Sequence, residues 1–120
     1  MARWGVQSVQ PVKRGEIWTI AGGPGYAGKP RPAVIIQDDG FSETLSIAVC
    51  LLTSEPIEAP MLRILVEPSP ENGLRAASRL MVDKIITVPK RCFGQCIGRL
   101  ADADVLRLNR SLLVFLGLAR

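Results

Sequence analysis

Histidine is absent from the 120-residue chain. That absence removes the usual general base at neutral pH, the Ser-His and Cys-His routes to an activated nucleophile, and most zinc sites. Hydrolytic chemistry in this protein has to run without imidazole. Aromatic residues are scarce at 5% while apolar residues reach 48%, so the core is expected to consist of Val, Ile and Leu. Cysteine occurs three times, as Cys50, Cys92 and Cys96, an odd number that cannot pair fully within one chain and fits a reducing cytoplasm. Cys92 and Cys96 are spaced as a helical turn would space them. With no histidine and one further cysteine, core filling is favoured over a metal site. No apolar run is as long as a membrane span, and Met1-Ala2-Arg3-Trp4 does not open a signal peptide. A cytoplasmic protein without a membrane partner is expected. The net charge of +4 and pI near 9.3 favour an anionic partner.

Residues 1–12 are polar and aperiodic and are expected to form a flexible extension, with a single domain over 13–120. Glu16 to Ile20 alternates apolar and polar side chains as a first strand would. A glycine-rich loop, Gly22 to Gly28, carries Tyr26 and leads to Lys29-Pro30-Arg31-Pro32. Each proline restricts the residue before it to extended backbone, so Arg31 stands on a stiff strand entrance in front of the apolar run Ala33 to Ile36. Two readings of Arg31 are open: a fixed cation for anionic oxygens, or an ordinary surface arginine at a strand end.

Asp38-Asp39-Gly40 marks a turn, and Leu45 to Leu52 forms a second apolar strand ending at Thr53-Ser54. If the turn is tight, these strands are antiparallel neighbours and Arg31 and Thr53 meet at one edge. The alternative is that Thr53-Ser54 merely turns the chain before Pro56. Glu55 to Pro60 is an acidic loop, Leu62 to Glu67 another strand, and Ser78–Val82 and Ile85–Val88 two short extended segments joined by Asp83-Lys84. From Asp102, a plausible N-cap, Val105, Leu108, Leu112 and Leu116 recur at helical spacing up to Gly117, with Leu106, Leu113 and Phe115 widening the stripe. So apolar a helix has to bury more than one side, against the barrel and loops or against a second subunit. Short strands with turns at this spacing predict a mainly β domain with α: a small barrel of antiparallel strands and a C-terminal helix.

Seven segments in order resemble the MazF/PemK family of toxin–antitoxin ribonucleases. They are Lys-Arg-Gly-Glu-Ile-Trp at 13–18, Lys-Pro-Arg-Pro-Ala-Val-Ile-Ile at 29–36, Leu-Leu-Thr-Ser at 51–54, Asn-Gly-Leu at 72–74, Ser-Arg-Leu-Met-Val-Asp-Lys-Ile at 78–85, Ile-Gly-Arg-Leu at 97–100 and Leu-Gly-Leu at 116–118. The resemblance implies an SH3-like small barrel, a homodimer, and cleavage of single-stranded RNA at short sequences with no metal or other cofactor. It implies Arg31 and Thr53 as the catalytic pair, and RNA contacts from the loop carrying Tyr26 and from Ser78, Asp83 and Lys84. On chemical grounds Ser54 joins these as a hydrogen-bonding edge, and Lys29 and Arg79 as phosphate contacts, each alternatively a solvated surface residue. It also implies an antitoxin, whose disordered tail the positive charge predicts to be acidic.

One departure stands out, since many members carry a carboxylate before the Arg-Pro motif and Pro24 to Pro30 contains none. Water, Asp83 and Glu16 are the remaining candidates for moving a proton. Two other readings fit the same fold: a gyrase-directed toxin, and a member that binds RNA or antitoxin without cutting.

Overall fold

The computed structural model describes residues 11–21 and 29–119. Tyr26 lies outside them. Among the described residues six strands follow one another as β1 (Glu16–Ile20), β2 (Arg31–Ile35), β3 (Ser46–Thr53), β4 (Arg63–Val66), β5 (Ser78–Pro89) and β6 (Phe93–Arg99), followed by one α-helix, α1 (Asp102–Phe115). All strand pairs are antiparallel, in the sheet order β4-β5-β3-β2-β1-β6. A mainly β domain with a C-terminal helix is what the strand and turn spacing predicts.

Both faces of the sheet bury side chains, which explains why β2 and β3 read as continuous apolar runs instead of alternating ones. One face sends Ile17, Val34, Cys50, Leu52, Ile64, Val66, Leu80 and Val82 into a cluster covered by Leu108 and Leu112 of α1. The other sends Trp18, Ile20, Ala33, Ile35, Val49 and Leu51 into a second cluster with Val88 and the edge of Phe93. Val12 is buried in that second cluster, so the packed domain reaches one residue into the stretch read as an extension. The two ends of the sheet meet through the loop that follows β4: the Arg99 N–H of β6 donates to the Glu71 carbonyl at 3.0 Å, and Gly98 lies against Asn72.

Three sequence expectations are corrected. Ser78–Val82 and Ile85–Val88 are one strand, β5, because both halves pair with β3: Thr53 faces Arg79 and Leu52 faces Leu80, while Cys50 faces Ile85 and Val49 faces Ile86. The residues between are an irregularity in the ladder rather than a turn. Cys92 and Cys96 do not share a helical turn, since Cys92 ends a short 3₁₀ segment and Cys96 is on β6. The cap of α1 is Ala101, in extended conformation and without a side-chain bond; Asp102 is the first helical residue and acts with Asp104 through its charge at the positive end of the helix. Gly117, at φ 78°, ends the helix as its sequence suggests.

Candidate active site

The stiff entrance of β2 and the polar end of β3 meet as their apolar runs require. Ala33 pairs with Leu51, Val34 with Cys50 and Ile35 with Val49. Continued two residues outward, this register sets Arg31 opposite Thr53. Thr53 is in turn opposite Arg79 of β5, and Arg79 opposite Leu65 of β4. Residues directly opposite in an antiparallel ladder point to the same face. Arg31, Thr53 and Arg79 therefore form one lateral row over three adjacent strands, in steps of about 5 Å. Beneath them on the same face, Ala33 and Leu51 are buried, so the row stands on a rigid apolar floor.

Thr53 is prepared for donation. Its Oγ1 already accepts the Glu55 backbone N–H at 3.2 Å, which engages a lone pair and leaves the hydroxyl hydrogen to turn outward. Thr53-Ser54 thus both turns the chain and presents a hydroxyl; the two sequence readings are compatible. Ser54 follows the strand end and is exposed, as are Lys29, two residues ahead of Arg31, and Lys84. Ser78 does not join this surface. It is 6% exposed, on the opposite face from its neighbour Arg79, and its hydroxyl donates to the Ala76 carbonyl at 3.0 Å.

Arg63 is the residue that sequence reading missed. Its side chain is 11% exposed, and its Nη1 donates both to the Leu62 carbonyl at 2.9 Å and to Asp83 Oδ1. Arg63 faces Met81, which puts it on the same face as Arg79. Desolvation pushes the Asp83 carboxyl up, but the Arg63 hydrogen bond, its own backbone N–H and the charges of Arg63 and Lys84 outweigh this and hold it below the usual carboxylate range. A carboxylate so held is a weak base. Because its folded value is depressed, its contribution to stability is present above about pH 4, the ordinary value, and is lost as pH falls through the lower folded one. Urea unfolding should therefore show wild type more stable than Asp83→Asn at neutral pH, with the gap narrowing on acidification. A gap independent of pH would contradict the pairing.

Glu16, the other candidate base, is remote. It lies four residues from Ile20, the residue paired with Arg31, or about 13 Å along β1. Its Oε1 is occupied by the Trp18 indole N–H at 3.0 Å and the Lys13 N–H at 2.9 Å. Nor do the Cys50 and Cys96 thiols serve, since burial pushes Cys50 up to about 12 and desolvation also raises Cys96.

Residues 13–116 match the family described as PemK-like, MazF-like toxin of type II toxin–antitoxin system. A protein of Mycolicibacterium smegmatis named probable endoribonuclease MazF is 49% identical over 108 residues, which span 90% of this chain and 99% of that protein. Among solved structures, a mycobacterial endoribonuclease in complex with its cognate antitoxin superposes with TM-score 0.74 at 23% identity, covering 91% of this chain and 98% of that one. A MazE–MazF structure from Deinococcus radiodurans gives 0.75 at 16% identity, covering 90% and 98%. The two structural likenesses speak to the fold.

Proposed function

The chain belongs to the PemK-like, MazF-like toxin family of type II toxin–antitoxin systems and is an endoribonuclease toxin of that kind, and we propose that Arg31 and Thr53 are the pair with which it cleaves single-stranded RNA. The observation that carries this is the β2–β3 register, which, continued to the strand ends, brings Arg31 and Thr53 opposite one another on one face of the sheet. The reaction is attack of a ribose 2′-oxygen on the adjacent phosphorus. The 2′-hydroxyl gives up its proton, the bond to the 5′-oxygen breaks, and a 2′,3′-cyclic phosphate and a 5′-hydroxyl result. Negative charge gathers on the non-bridging oxygens in the transition state. Arg31 can donate to two of them in a fork, and Thr53 adds a third donor, so both interactions strengthen as charge develops. A guanidinium offers only donors, so Arg31 stabilises charge and does not move the proton. Of the three candidates the sequence offered, Glu16 is remote and Asp83 is tied to Arg63, which leaves water to take the 2′ proton.

Lys29, Arg79 and Lys84 are proposed to hold phosphates, and Tyr26, Ser54 and Asp83 to meet bases. Ser78 is left out of the proposed contacts, because it is buried on the opposite face and its hydroxyl hydrogen is given to the Ala76 carbonyl. The proposed unit is a homodimer in the cytoplasm. Leu106, Leu113, Phe115 and Leu116 of the helical stripe remain exposed in the single chain, which supports a second subunit there, and sedimentation at the mass of one chain would count against it. The proposed partner is an antitoxin with an acidic disordered tail.

The direct test is a labelled single-stranded RNA incubated with the protein in EDTA. Fragments with cyclic-phosphate ends are expected, and they should cease to form at saturating antitoxin. RNA left intact by the protein alone would sink the ribonuclease reading.

A further inference from the structure

Arg79 and Glu58 form an ion pair whose two ends are held very differently. Arg79 is clamped in the sheet between Thr53 of β3 and Leu65 of β4, and its side chain is only 14% exposed. Glu58 hangs from the irregular segment between β3 and β4, 85% exposed, with its Oε1 3.4 Å from Arg79 Nη2. The cation is fixed by packing; the anion is fixed by almost nothing. A pair of this length with one solvated partner contributes little to stability and exchanges readily.

To a guanidinium, a carboxylate and a phosphate present the same feature: anionic oxygens that accept charge-assisted hydrogen bonds. Arg79 is the neighbour of Thr53 in the row, so the anion it holds adjoins the position where Arg31 and Thr53 would hold the reacting phosphate. Arg31 and Arg79 are two strand spacings apart, about 10 Å at their backbones, a gap that two long side chains can span to reach phosphates of one RNA strand. We propose that Arg79 is a second phosphate subsite beside the scissile one, and that in the free protein Glu58 occupies it as an internal stand-in for phosphate. RNA then enters by exchange: a phosphate takes Arg79 and the acidic loop carrying Glu58 is displaced into water. The loop makes weak, nonspecific anions compete with a carboxylate that is always at hand.

This inference rests on the ribonuclease reading and deepens it. It is tested by equilibrium binding of a random-sequence single-stranded RNA carrying 2′-O-methyl groups, which cannot be cut. Glu58→Gln should tighten binding about two- to fivefold, the range expected when an exposed competitor is removed. Arg79→Gln should weaken binding and lower the slope of log affinity against log salt by about 0.7, one single-strand phosphate. The double variant should bind as Arg79→Gln does, with no gain left. A gain from Glu58→Gln that survives in the Arg79→Gln background would show bulk charge at work and overturn the proposal. So would an affinity unchanged by Glu58→Gln, or a slope unchanged by Arg79→Gln. Wild type that binds no RNA at all would overturn the ribonuclease reading itself, a different failure.

Discussion

Arg31→Ala is expected to lower the single-turnover cleavage rate about 10³-fold, with the urea midpoint measured beside it to separate lost chemistry from lost structure. One donor to a developing oxyanion is typically worth ~3 kcal/mol, a hundredfold, and an arginine contacting a transferring phosphoryl group 10³ to 10⁵. In the proposed reaction Arg31 would supply two donors from the start of a strand that β1 and β3 flank on either side. Arg31→Lys keeps the charge but loses the fork, and should recover only part of the rate. Thr53→Val removes the third donor and should cost about a hundredfold, while Thr53→Ser, which keeps the hydroxyl and its bond from the Glu55 N–H, should stay near wild type. If Arg31→Ala cleaves at the wild-type rate, the row is not the site of reaction, whatever its geometry.

Why this pair was legible, and Arg63 was not, follows from how far apart in sequence each argument has to reach. Arg31 and Thr53 are at the far ends of two apolar runs that follow one another in the chain, so the pattern shows that they share an end. The connection is no tight turn but residues 36–45 with a 3₁₀ segment at Asp39–Phe41, and the register itself comes from the pairing. Arg63 meets Asp83 because β5 runs on two residues past Met81, the partner of Arg63 on β4; the extra residues that β5 carries opposite β3 fall at this point, and the charged Asp83-Lys84 looks like a turn between two strands. A bulge is set by pairing with both neighbours, which a single segment does not display. The strand β6 is hidden for a similar reason. Gly94, Gln95, Cys96 and Gly98 have little preference for extended structure, and they are held as a strand by β1 on one side and by the Glu71 carbonyl on the other. Likewise Ser78 and Arg79 are adjacent in one motif, but the alternation of β5 sends the serine inward and leaves the arginine at the rim. The family pattern marks the segment; the pleat decides which of its side chains can meet a ligand.

The same seam gives the largest expected effect on stability. Where the loop after β4 closes against β6, two glycines face each other's backbones. A Cβ on Gly98 would lie 2.4 Å from the Asn72 carbonyl carbon and 2.5 Å from both the Asn72 and Glu71 oxygens. A Cβ on Gly73 would lie 2.0 Å from the Ile97 oxygen, on a residue already at φ 70°. None of the atoms met is the end of a flexible side chain, so relief requires moving one backbone away from the other, and with it the Arg99 N–H bond to Glu71. Gly98→Ala should destabilise the fold by at least ~3 kcal/mol, about 10–15 °C in Tm for a domain of this size. Gly73→Ala should cost more, since backbone strain adds to the clash. Gly117→Ala separates the two effects, because Gly117 has φ 78° but nothing within 4 Å of the added methyl. It should cost only the ~1 kcal/mol of the left-handed conformation. If Gly73→Ala and Gly117→Ala fell by the same amount, conformation alone would explain both and the seam at Gly73 would not be closed by contact. A Gly98→Ala protein that melts with wild type would show that the sheet holds its rim without joining its ends.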